Sequence, residues 1–173
     1  MKKLREKNRS PLKWLITILV VGLSAAGSVL FFNTTELERL AADYFHPYDH
    51  MITFNGSSKN QDRIAKAFEA YEKKDYDQAE VYFTDLINTT NENYALFYLA
   101  NTKLALQKPN EAASLLQNYL STGENLSSQA QWFLAIAYLQ MNQKEMASDV
   151  LHRIVTFEGY NASKALKIIE KLK

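Results

Sequence analysis

The chain has 173 residues, 20 Lys and Arg against 19 Asp and Glu, and no cysteine. A net charge of +1 leaves no basic footprint for nucleic acid. The missing thiols exclude a disulfide framework, thiolate metal sites and cysteine nucleophiles, and the length suffices for one modest domain plus an anchor.

Residues 1–13 form a basic tail, with Lys2, Lys3, Arg5, Lys7, Arg9 and Lys13 against Glu6 alone. Residues 14–33 follow as WLITILVVGLSAAGSVLFFN, without a charge. At about 1.5 Å per residue, such a helix crosses a hydrocarbon core of about 30 Å. Trp14 suits the interface and Lys13 can snorkel beside it. Beyond the span come Glu36, Glu38, Arg39 and Asp43. The positive-inside bias places the N-terminus in the cytoplasm and the rest of the chain outside it. A cleavable signal peptide is the competing reading, since SAAGS at 24–28 offers small residues of the cleavage type. Val29, Leu30, Phe31 and Phe32 continue the apolar run past that point and favour an uncleaved, single-pass anchor in the cytoplasmic membrane.

Residues 34–59 read as a juxtamembrane helix and a packed connector. Thr35 and Glu38 have the spacing of a capping box, and Leu37, Leu40, Ala41, Tyr44 and Phe45 share one helical face. Pro47 ends that helix. His46 and His50 therefore cannot form a helical pair. A zinc site needs at least one more ligand beyond His46, Asp49 and His50, so no metal is expected. Tyr44, Phe45, Tyr48, Met51, Ile52 and Phe54 make the connector too apolar for a flexible linker. It is expected to lie against the domain that follows, across its start, where it can occupy part of a groove as an internal pseudo-ligand.

Residues 60–173 carry an internal repeat. YEKKDYDQAEVYFTDLI, LALQKPNEAASLLQNYL and LQMNQKEMASDVLHRIV align without gaps. Their shared alanines are Ala79, Ala112 and Ala147, at spacings of 33 and 35. Ala67, Ala100 and Ala135 stand twelve residues earlier, and Phe83, Leu116 and Leu151 four residues later. Small residues at both places let two antiparallel helices approach closely, and the large residue fills the space between repeats. The periodicity predicts helices near 60–73, 76–89, 93–106, 109–121, 127–141, 144–157 and 161–172. In the last of these, Asn161 or Ser163 supplies a cap, and Lys164, Lys167, Lys171 and Lys173 supply the wet outer face that an array end requires.

This pattern resembles the tetratricopeptide repeat, whose period is about 34. The third unit matches best, with Leu134, Ala135, Tyr138, Ala147 and Leu151. The second has Lys103 where the family prefers an aromatic residue, and the first has Lys66 before Ala67 and Ala70 at the aromatic place. The closing proline of the family is absent from all three units. The resemblance implies an all-α fold, a right-handed α-solenoid of three helix pairs with a C-terminal capping helix. It also implies polypeptide binding on the concave face of the first helix of each pair. Helical geometry maps Ile64, Phe68 and Tyr71, then Tyr94, Phe97, Asn101 and Leu104, then Trp132, Ile136 and Leu139 onto that face, although several of these can instead be core residues, Phe68 and Ile136 as readily as groove residues. The groove is expected to be aromatic and apolar, with Tyr94, Phe97 and Trp132 exposed and Asn101 as a polar handle for a peptide backbone. It offers no Lys or Arg to grip a C-terminal carboxylate.

Catalytic signatures are missing. There is no Gly-rich phosphate loop, nucleophile elbow or HExxH, and the carboxylates read as solvated helix faces. His152 is expected at the surface or core edge, and the Asn-x-Ser/Thr sequons at Asn33, Asn55, Asn88, Asn125 and Asn161 read as incidental in a bacterial chain. The whole layout resembles small single-span tetratricopeptide proteins of Bacteroidota-type bacteria, the Tyr44-Phe45-His46-Pro47-Tyr48 box included. That implies an envelope scaffold without enzymatic activity, cofactor or small-molecule substrate, binding a protein or peptide partner of the cell envelope. Two rival expectations are a chaperone-like holdase near the translocation machinery and a transmembrane regulator acting through the basic tail.

Overall fold

A computed structural model describes residues 34–49 and 58–173, apart from 91 and 124. The expected tail and span at 1–33, and connector residues 50–57, lie outside the described residues. The chain divides into two compact units, 1–35 and 36–173, and every described helix belongs to the second.

All regular structure among the described residues is helical. The helices are α1 (Glu36–Tyr44), α2 (Ser58–Glu72), α3 (Tyr76–Thr89), α4 (Tyr94–Ala105), α5 (Pro109–Ser121), α6 (Ser127–Gln140), α7 (Lys144–Thr156) and α8 (Ala162–Lys171). From α2 onward each packs on the next, while α1 packs on α6 and α4 touches α6. None of these helices is long and apolar enough to cross a membrane.

Within each pair the turn is built the same way. Lys74, Gln107 and Asn142 adopt left-handed backbone, with φ of 60°, 56° and 57°. The N–H of Gln107 bonds the Leu104 carbonyl at 3.1 Å and that of Lys108 bonds the Lys103 carbonyl at 2.8 Å. Lys74 with Asp75, and Asn142 with Gln143, repeat this two-bond closure. It satisfies carbonyls that a helix end leaves open. The following helix then starts promptly: Asp75 Oδ1 accepts from the Gln78 N–H at 3.2 Å, and Pro109 opens α5 where a missing N–H costs nothing. Glu158, with φ of 48°, closes α7 by the same motif. Asn161 stands at the N-cap of α8 as expected, but its backbone is left-handed and its side chain makes no capping bond.

The repeat alanines Ala67, Ala79, Ala100, Ala112, Ala135 and Ala147 are all fully buried, as are Phe83, Leu116 and Leu151. A larger side chain at those alanines would force the paired axes apart. α3, α5 and α7 bury one stripe each and leave the opposite face wet. α4 and α6 differ: residues 95–104 and 132–139 are buried without a break. A helix apolar all round must be covered all round. α3, α5 and α6 cover part of α4, and α5, α7 and α1 lie on α6.

The residue at the expected aromatic place varies with what it must reach. Tyr138 on α6 is buried and its hydroxyl accepts from Gln117 Nε2 on α5 at 2.8 Å. Lys103, 8% exposed at the matching place on α4, reaches back to Glu80 on α3 at 2.8 Å and also pairs with Glu111. Lys108 holds the second oxygen of Glu80 at 2.7 Å. Hydrogen bonds from Lys103 and Lys108 keep the Glu80 carboxyl below its ordinary range. For Lys103, burial favours the neutral amine, but the bonds to Glu111 and Glu80 outweigh it and raise the ammonium's pKa. Ala70, at the same place in α2, has no preceding pair to reach among the described residues.

Candidate functional site: a face that holds extended polypeptide

α2, α4 and α6 line up one face, and residues 45–49 cross it without regular structure. Pro47 explains the conformation: it stops α1 from continuing and biases His46 toward extended backbone. The face reads the main chain of this segment. The Tyr48 N–H donates to Asn101 Oδ1 at 3.2 Å. The Tyr71 hydroxyl donates to the Tyr48 carbonyl at 3.0 Å, and the Tyr98 hydroxyl donates to the Asp49 carbonyl at 3.3 Å. Asn101 is itself aimed, because its Nδ2 donates to the Phe97 carbonyl one turn earlier at 3.0 Å. Burial raises the Tyr71 pKa above the usual phenol range, so the hydroxyl keeps the proton it donates.

The Tyr48 side chain enters an aromatic slot. Its ring meets Phe97 edge-on at 5.3 Å, Phe133 at 6.3 Å and Tyr160 at 5.9 Å, and lies tilted to Tyr98 at 6.4 Å. Such pairs contribute about 0.5–1.5 kcal/mol each beyond the area they bury. Tyr160 is set by its N–H, which donates to Ser128 Oγ at 2.6 Å. Upstream, Phe45 packs edge-on to Phe133 at 6.2 Å, Asn142 Nδ2 donates to Glu38 Oε1 at 2.9 Å, and Lys171 Nζ stands 5.3 Å from the Tyr44 ring centre. The segment does not fill the face. An open cleft of about 370 Å³ remains on its flank, bounded by His46, Pro47 and Asp49 on one side and by Tyr71, Glu72, Lys74 and Tyr76 on the other.

The mapped residues fall as follows. Phe97, Asn101 and Tyr71 meet residues 45–49 directly. Phe68, Leu104, Ile136, Ile64 and Leu139 are buried in the common core. Phe97 and Trp132, expected to be exposed, are 0% and 1% exposed. Tyr94 is half-buried, stacked on Phe68 at 6.2 Å, with its hydroxyl pushed up to about 12 by burial and by Glu92. The first helices are not open on one side: residues 45–49 lie over α4 and α1 lies on α6. Helical geometry alone also leaves out Tyr98, Phe133 and Tyr160. The adjacent pairs Phe97-Tyr98 and Trp132-Phe133 were the available signal, since two neighbouring aromatics on a helix cannot share one stripe.

His46 is exposed and His152 is exposed on α7. Among the described residues no three His, Cys, Asp or Glu side chains are grouped to hold a metal ion; His50 lies outside them. No protein-family model matches the sequence, and a search of curated proteins finds no match.

Proposed function

We propose that this protein is a tetratricopeptide-repeat scaffold: a right-handed α-solenoid of three helix pairs and a capping helix. A single N-terminal span holds it in the cytoplasmic membrane, with the repeats outside the cytoplasm, where they bind an extended segment of a partner polypeptide. It has no enzymatic role and needs no cofactor. The carrying observation is that Asn101, Tyr71 and Tyr98 hydrogen-bond three main-chain groups of a segment without regular structure. Main-chain contacts of this kind tolerate varied sequences, while neighbouring pockets select side chains. The matching turns of the three pairs support the repeat assignment. The holdase alternative requires exposed apolar surface for non-native chains, and the filled face of α4 and α6 favours the scaffold over it.

Site-specific photocrosslinking in native membranes tests this reading. A benzoylphenylalanine in place of Glu72, an exposed residue at the rim of the open cleft, is expected to trap a discrete partner. The same group at Val81, on the outer face of α3, is expected to trap none. Adducts formed from Val81 alone would refute binding on this face.

A further inference from the structure

The segment on the face is not a generic filler. It presents a proline, then a tyrosine in an aromatic slot, with the tyrosine's N–H and carbonyl both read. Proline carries no N–H that would need an acceptor, and it lowers the entropy lost on docking. Aromatic grooves that take preformed extended proline segments follow the same physics. The cleft along His46 and Asp49 gives this segment an open flank, and Tyr48 is only half-buried.

We propose that the slot formed by Phe97, Tyr98, Phe133 and Tyr160 is a specificity pocket for an extended Pro-Tyr segment of a partner polypeptide, and that residues 45–49 are its competitor in cis. This rests on the scaffold reading and adds to it the chemistry of the ligand. The cis segment is covalently attached, so its effective concentration is high and it masks the slot until a partner segment displaces it. Apparent affinity for a partner falls by the fraction of molecules with the slot open. A slot closed in nine of ten molecules weakens trans binding about tenfold.

The test uses the full chain in detergent and a fluorescent peptide with the sequence of residues 44–49. The Tyr48→Ala chain is expected to bind it at least about tenfold more tightly than the wild type does. A peptide with alanine in place of the tyrosine after proline is expected not to bind. Equal affinity of both chains, or indifference to that tyrosine, overturns the proposal. So does loss of helical circular dichroism in Tyr48→Ala, because an exchangeable occupant must be dispensable for folding. A wild-type chain that sediments as a dimer with exchanged connectors makes the occupant a second copy and also overturns it. Failed peptide binding with the Glu72 crosslink intact removes the Pro-Tyr pocket alone, whereas loss of the crosslink removes the scaffold reading.

Discussion

Truncating Lys103 separates the packing of its stem from the charge at its tip. Lys103→Ala removes three buried methylenes, at about 0.8 kcal/mol each, or about 2.4 kcal/mol. The lost pair with Glu80 adds at most about 1 kcal/mol, because Lys108 still holds that carboxylate. The pair with Glu111 adds little, since that carboxylate is 57% exposed. The expected cost is about 3 kcal/mol. Lys103→Met keeps the stem's volume and is expected to stay within about 1 kcal/mol of wild type, because Lys108 still pairs with Glu80 and Glu111 is more than half exposed. Urea unfolding of a fragment spanning 34–173, followed by circular dichroism at pH 7, measures both. The pH dependence supplies a second check. The folded carboxyl of Glu80 titrates below its unfolded value, so its contribution is present above about pH 4.3 and is lost as pH falls through the folded pKa. Lys103→Met should therefore lose less stability than wild type between about pH 5 and about pH 3. Equal costs for Met and Ala would show that charge alone matters, and would refute the argument that the lysine stem fills the aromatic's place.

Gln107→Gly should raise stability by about 0.5–1 kcal/mol, because glycine relieves a side chain held at positive φ, and Asn142→Gly should gain less. The same urea titration reads both; destabilisation by Gln107→Gly would argue against the left-handed turn. The natural chain has no cysteine, so single introduced ones report topology directly. In spheroplasts an impermeant maleimide should label Glu170→Cys and leave Asn8→Cys untouched until the membrane is broken. The reverse pattern would overturn the proposed orientation.

Helix positions from α2 to α8 were legible because two signals agreed: alanines at matching places and apolar residues at helical spacing. The observed ends differ from the expected ones by two residues at most, at the α2 start. The turns within the pairs were expected at two residues and span three, because each first helix stops one residue earlier to make its left-handed closure, and Lys74 and Gln107 carry no sequence mark of that backbone. At the face, Asn101 was legible as a group that needs a polar partner amid apolar residues, and its Oδ1 accepts from the Tyr48 N–H of this chain. Burial of Phe97 and Trp132 was not, because a periodic pattern shows which residues share a stripe and not what lies over it. The unbroken apolar runs in α4 and α6 held that information.

That burial decides which substitutions can probe recognition. Phe97→Ala and Trp132→Ala each empty a filled site, at about 3–5 kcal/mol apiece. Together they approach the whole stability of a typical domain, about 5–15 kcal/mol, so loss of a partner in the double variant would report unfolding. Tyr71→Phe with Tyr98→Phe keeps both rings and removes only the hydroxyls that hold the Tyr48 and Asp49 carbonyls. Two net hydrogen bonds of about 0.5–1 kcal/mol each should leave the fold intact and loosen residues 45–49 by about 1–2 kcal/mol. Where opening is fast, cleavage follows the open population, so chymotrypsin should cut at Tyr48 about fivefold to thirtyfold faster in the double variant. An unchanged rate at Tyr48, with full helicity, would mean that the two hydroxyls do not hold the segment. Recognition on this face would then rest on the aromatic slot and Asn101 alone.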